Sequence, residues 1–315
     1  MAKLDRTPRS VLVRRYLAYR RSLGYRMHGA ELLLDFARFA DANAPNEPLT
    51  TSLAIQWASA SPSTCPKTRV KRLGMVRGFA RYCATFDART QVPESSLLGV
   101  GFQRGRPHVY RVAELKMILR RARRLETSRS SLHPLTYATL IGLLASTGMR
   151  PGEALRLHWT DLDVGQHTLR IRPCKFSPER VIPLHQTVVR ALQRYVRARR
   201  TLFPEGETLF VNAVGRPLSA RRTEKVFQRL ARDIIPRSKR GSVRLMDFRH
   251  TFASGRISQW SRQKRPVAHH LLLLARYLGH RTFNSTWWYV TADPIALRDA
   301  GVRFRNFHEQ AQTAK

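Results

Sequence analysis

The stretch Tyr277–Ala292, YLGHRTFNSTWWYVTA, decides how the chain is read. His280 follows a glycine and precedes Tyr289 by nine residues. A glycine–histidine step, a short polar turn and then a helix carrying a tyrosine is a way to aim a phenol beside an imidazole. Upstream, Arg150 lies in TGMRPGEALRL, Lys175 between the strand-like runs HTLRIRP and ERVIPL, and Arg249 in DFRHTFAS. Two arginines, a lysine, a histidine and a tyrosine are the side chains that metal-free phosphoryl transfer to a protein group requires.

Each residue type suits one task of such a transfer. The developing phosphate charge must be stabilised, the nucleophile placed in line and the leaving 5′ oxygen protonated. Guanidinium forks match two non-bridging oxygens, and Arg150, just after a buried predicted helix, and Arg249, in a second helical stretch, can converge from different elements. A lysine desolvated among other cations can give up a proton where an arginine cannot, which fits Lys175 at a hairpin tip. Glu153, three residues after Arg150, shares its helix face and can hold that guanidinium. His280 can donate to a phosphate oxygen or help take the phenolic proton. The phenol of Tyr289, with an ordinary pKa near 10, needs a strongly positive pocket to attack phosphate. Against each stands a plainer reading: a surface arginine, an exposed loop lysine, an ordinary exposed ion pair, or core packing for the Trp287–Trp288–Tyr289 run. His269 and His270 lack metal-ligand spacing and read as part of a solvated or packed helix.

Apolar residues spaced three or four apart predict helices in VLVRRYLAYRRSL, AELLLDFARFADA, LAIQWA and RVKRLGMVRGFARYCA, all before residue 85. Leu49–Thr50–Thr51 supplies a helix start and SPSTCP a break. A glycine-rich segment without periodicity, residues 99–110, reads as a linker between a helical unit, 1–98, and a second domain, 111–315. There AELKMILRRARRL and PLTYATLIGLLASTG are helical, the latter apolar nearly all round and ending at Gly148. HTLRIRP and ERVIPL form a hairpin. Helical patterns return at QTVVRALQRYVRARR, RRTEKVFQRLARDI, around Phe252 and around Leu271. The expected fold class is mainly α with a small antiparallel β-sheet.

Net charge over the 315 residues is +36, and 48 of the 57 basic residues are arginine. A field of that size favours a polyanion, with nucleic acid the usual candidate. The excess runs along the whole chain, which excludes a basic tail on a neutral enzyme. An apolar share of 43% supports real cores and excludes wholesale disorder. Cys65, Cys83 and Cys174 are odd in number, widely spaced and read as thiols of a reducing compartment. The start, MAKLDRTPRS, lacks a signal-peptide core. The apolar run Leu271 to Leu274 is too short to cross a bilayer. A cytoplasmic location is expected.

In their order and local contexts, TGMRPGEALRL, the hairpin lysine, DFRHTFAS and LGH followed at nine residues by tyrosine resemble the tyrosine recombinase, or phage integrase, family. The resemblance covers the whole chain and implies an N-terminal helical core-binding domain followed by a catalytic domain. KFSPERVIPLH, RHTFA, YLGH and WYVTA look like the integrases of mobile elements that travel as recombinase trios. Carried over, the phosphate-clamping arginines match Arg150 and Arg249, the hairpin acid Lys175, the supporting acidic residue Glu153, the histidine His280 and the nucleophile Tyr289. One position departs: the family usually has a histidine three residues before the second arginine, and here that residue is Met246. Methionine neither binds phosphate usefully nor shuttles a proton, and the neighbouring His250 reads as structural because adjacent helix residues point about 100° apart.

The resemblance implies site-specific recombination of double-stranded DNA through a 3′-phosphotyrosine, acting in integration or transposition, without cofactor or metal. It also implies a homo-tetrameric synapse on DNA, other recombinases of the same element as partners, and a C-terminal segment, PIALRDAGVRFRNFHEQ, that docks on a neighbouring protomer. Two alternatives stay open: a catalytically weakened DNA-binding partner, favoured by Met246, and a type IB topoisomerase-like nicking-closing enzyme.

Overall fold

The computed structural model describes residues 7–27, 29–60, 66–99, 107–126, 130–173, 178–235, 243–263, 267–280, 282, 285–286 and 289. The chain divides into two compact units, Met1–Arg104 and Gly105–Lys315.

The first unit is helical among its described residues: α1 (Arg9–Ser22), α2 (Ala30–Asn43), α3 (Thr51–Ser59) and α4 (Pro66–Cys83). Residues at helical spacing meet in one core of Val13, Leu17, Leu33, Phe36, Trp57, Val76 and Phe79. Phe36 stands edge-on to Trp57, with ring centroids 5.2 Å apart. Thr50 caps α3 as its sequence predicts, accepting the Leu53 N–H at 3.2 Å, and α4 opens on a proline, whose fixed φ suits a first helical turn. Arg9 is buried and donates to the carbonyls of Ala40 at 3.0 Å and Ala44 at 2.8 Å, closing the C-terminus of α2. Cys83 lies in this core, where burial pushes its thiol up to about 12 and leaves it inert. Cys65 and Cys174 lie outside the described residues.

The second unit runs α5 (Val112–Arg123), α6 (Leu132–Thr147), the single turn α7 (Pro151–Ala154), a 3-10 turn (Trp159–Asp161), β1 (Leu162–Asp163), β2 (Thr168–Ile171), β3 (Arg180–Pro183), α8 (Gln186–Leu202), α9 (Ala220–Ala231), α10 (Asp247–Arg262) and α11 (Val267–Leu278). The strands form an antiparallel sheet in the order β1-β2-β3, with Leu169 opposite Ile182. Leu169, Ile171 and Ile182 all turn inward, the period-two pattern of a sheet with one covered face. β1 was not expected, because two residues are too few to show a period; the helical face read for Arg150 and Glu153 is the single turn α7. Just before α5, Tyr110 stacks on Phe248 at 4.4 Å and donates to the Arg244 carbonyl, so residues 107–110 lead directly into this core. No described helix is long and apolar enough to cross a membrane.

α6 is buried around its circumference, through Thr136, Leu140, Ile141, Leu143, Leu144 and Thr147. It ends at Gly148, whose φ of +62° lies in the left-handed region. A Cβ there would stand 2.6 Å from the Phe252 ring of α10. Glycine thus serves twice: it lets the helix end turn, and it lets α10 come close enough to share a site with Arg150. Gly148→Ala should lower stability by about 2–4 kcal/mol, the sum of a left-handed alanine and a forced contact. Thermal or denaturant unfolding checks this, and Gly142→Ala, at a position with open space, is the control that should cost nothing.

Candidate active site

Three chain reversals build the site. The first is Gly148, which sends the chain into Arg150 and α7. The second is the end of α11, where Gly279 has a φ of +69°. The Gly279 N–H donates to the Arg276 carbonyl at 3.0 Å and the His280 N–H to that of Ala275 at 2.9 Å. This paired closure of a helix end requires a left-handed residue at its first position, so the glycine before His280 fixes where the imidazole leaves the helix. The third is the start of α10, where Met246 is the residue preceding the first turn and Arg249 lies within it.

Arg249 is 2% exposed. One guanidinium nitrogen donates to the Gly148 carbonyl at 3.1 Å, and the other to the Leu278 carbonyl at 2.7 Å and to His280 Nε2 at 2.7 Å. It also hydrogen-bonds Tyr289. Burial first, then the nearby Arg150, lower its pKa to about 10, offset in part by Tyr289 and Glu153. Arg150 is more open: it donates to Glu153 Oε1 at 3.0 Å and to the Gly279 carbonyl at 3.3 Å. The two arginines therefore reach the same glycine–histidine corner from different elements.

Glu153 is buried and takes the Arg150 backbone N–H at 2.9 Å besides its side chain. Its other partner is Arg180 of β3, which grips both carboxylate oxygens at 2.7 and 3.2 Å and donates through Nε to the Tyr277 carbonyl at 2.9 Å. Burial opposes ionisation of Glu153, but the hydrogen bonds and charges of Arg180 and Arg150 outweigh it and hold the carboxyl at about 2. The exposed ion pair weighed as the plain reading of Glu153 is thus not what the fold contains.

His280 is half-buried, and its pKa falls to about 3, first through burial and then through Arg249, Arg150 and Arg180. It is neutral at any ordinary pH. Its Nδ1 is 2.7 Å from Oγ1 of the fully buried Thr286. The Tyr289 ring lies flat against His280, with centroids 5.9 Å apart, and tilted against His250 at 5.2 Å. At 4% exposure the ring joins Ala253, Ile257, Leu271, Leu274 and Leu278 in a small apolar cluster. The phenol is therefore both core filler and site member, where the sequence reading set these apart, and His250 faces the tyrosine. Lys175, Trp287 and Trp288 lie outside the described residues. Among the described residues, no group of three or more His, Cys, Asp or Glu could hold a metal ion.

Comparison with known proteins gives this geometry its context. The phage integrase family profile matches residues 112–294, more than half of the chain. The chain belongs to the phage integrase family. This integrase is 35% identical over 296 residues to y4rB of Sinorhizobium fredii, named as an integrase/recombinase, across 91% of this chain and 94% of that one. Its fold is similar to the XerH site-specific recombinase in a post-cleavage complex with a palindromic difH substrate, with a TM-score of 0.65 at 21% identity over 88% of this chain and 78% of that one. It is also similar to the Tn1549 transposon integrase in complex with transposon right end DNA, with a TM-score of 0.63 at 16% identity over 94% and 98% of the two chains. It is a recombinase of the tyrosine type.

Two site members went unseen in this integrase's sequence, Arg180 and Thr286. Truncating Arg180 to alanine leaves Glu153 buried with half its partners, and should destabilise the second unit by about 3–5 kcal/mol. Acid should act in the same direction. Glu153 has a lowered folded pKa, so its contribution is complete above its ordinary value of 4.5 and disappears as pH falls toward about 2. His280, also lowered, stays neutral while the unfolded chain takes up a proton below about 6.5, so it too favours unfolding on acidification. Unfolding followed from pH 7 to pH 3 should show stability falling throughout, with a shallower fall between pH 7 and 5 in His280→Asn.

Proposed function

We propose that the protein cuts and rejoins duplex DNA through a 3′-phosphotyrosine on Tyr289, acting in the integration or transposition of a mobile element. The observation that carries this reading is the meeting of Arg249 with both His280 and Tyr289 while Arg150 reaches the same corner. A phosphodiester seated between the two guanidiniums would lie beside the phenol. Tyr289 Oη would bond to phosphorus, the bond to the 5′ oxygen would break, and Lys175 would protonate that oxygen. The phosphoester is retained in the protein–DNA link, so rejoining is the reverse attack by the 5′ hydroxyl and needs no ATP. Basic faces on both units would bind the backbone, in keeping with the +36 charge, and exchange between two duplexes calls for a tetrameric synapse with copies of this chain or with other recombinases of the element. The transposon integrase among the fold neighbours supports the mobile-element role, and the difH complex supports the DNA substrate.

Met246 favours a second reading, that of a DNA-binding partner that cuts slowly or not at all. It stands half-buried at the start of α10, three residues before Arg249, where the family pattern has an imidazole. Losing one general acid or base typically costs about 10²–10⁴ in rate.

On a suicide substrate nicked beside the cleavage point, the wild-type protein should become covalently attached to DNA and Tyr289→Phe should not. No covalent species with the wild-type protein on its own site would leave the binding role standing. Met246→His should raise the cleavage rate about tenfold or more, and an unchanged rate would clear Met246 of limiting the chemistry. DNA affinity measured between 50 and 200 mM salt should fall by about 10³ or more if six or more phosphates are contacted.

A further inference from the structure

The two ring nitrogens of His280 are held differently, and the difference fixes where its proton sits. Nε2 is 2.7 Å from a guanidinium nitrogen of Arg249. Arginine carries donors only, so Nε2 must present its lone pair. The one proton of the neutral ring is then on Nδ1, and it is donated to Thr286 Oγ1 at 2.7 Å. Thr286 is fully buried and stands three residues before Tyr289. Water has no access to replace it as acceptor.

We propose that Thr286 is a positioning residue that fixes the tautomer of His280, and so makes Nε2 the proton acceptor of the site. The proposal rests on the recombinase reading above and deepens it. The family pattern places a further imidazole where this chain has Met246, which accepts no proton. His280 Nε2 and the Tyr289 hydroxyl both border the Arg249 guanidinium, and their rings are stacked. When a phosphodiester draws Arg249 toward its own oxygens, Nε2 is released beside the phenol. The phenolic proton passes to Nε2, Oη bonds to phosphorus, the bond to the 5′ oxygen breaks and that oxygen takes its proton from Lys175. Return of the 5′ hydroxyl reverses each transfer. The charged groups facing the imidazole are Arg249 from α10, Arg150 just before α7, Glu153 within α7 and Arg180 from β3, with His250 on the far side of the phenol. Four of these are cationic or neutral, so the phosphate's own negative charge is what allows the ring to accept a proton during the reaction.

Nitrogen-15 spectra of the imidazoles in the full-length protein, assigned with His280→Asn, test the tautomer without reference to activity. His280 should show a protonated Nδ1 and an unprotonated Nε2, and the opposite assignment would overturn the proposal. Thr286→Val keeps the shape and removes the acceptor, whereas Thr286→Ser keeps the acceptor. On the nicked substrate Thr286→Val should cleave about 10²-fold more slowly and shift the pH dependence of cleavage, while Thr286→Ser should stay within a few-fold of wild type with an unshifted profile. Equal rates and profiles for the valine variant and wild type would overturn the role. Should the wild-type protein form no covalent product at all, the recombinase reading fails, and the spectra still judge the tautomer.

Discussion

A guanidinium taken out of water must have its donors met, or its burial is too costly to sustain. Arg249 satisfies this with the carbonyls of Gly148 and Leu278, one at the end of α6 and one at the end of α11. Both helix ends carry partial negative charge and unsatisfied carbonyls, so the buried cation and the two helix termini complete one another. The position of Arg150 follows from the first of these ends and that of His280 from the second. The candidate site is in this sense a by-product of how one arginine is kept inside.

A second charge centre sits beside it. The Glu153 carboxylate lies between Arg150 and Arg180 and ties α7 to β3, while Arg180 also reaches the Tyr277 carbonyl near the end of α11. The residues around His280 are thus cross-linked by ionic hydrogen bonds in a region of low exposure, where such bonds are strong when every partner is present. Arg150 keeps part of its surface open, and Arg249 does not. The two guanidiniums have different duties in the free protein: one faces outward, and the other holds the frame.

Much of this was legible in the sequence. Periodicity placed the major helices and the hairpin, and Gly148 marked the end of α6, while Gly279 stood out only as the residue before His280. The local contexts of Arg150, Glu153, Arg249, His280 and Tyr289 singled them out, and the fold brings them together. Arg180 was invisible because it is one of 48 arginines in a short alternating strand, and nothing in ERVIPL reveals that its side chain meets a carboxylate 27 residues earlier. Thr286 was hidden for a similar reason: a hydroxyl six residues after His280 looks like turn chemistry until the ring orientation is known. Arg9 and Arg199 show the opposite error that composition invites. Both are buried and spend their donors on backbone carbonyls, Arg199 on those of Phe203, Glu205 and Gly206, so part of the positive charge of this chain is architecture.

The aromatic ring of Tyr289 fills space among Ala253, Ile257 and the leucines of α11. A reagent drawn from the interior cannot be used without disturbing what it was supporting. The ring packs against residues of both α10 and α11, so any reaction at its hydroxyl acts on a group that also helps hold these two helices together.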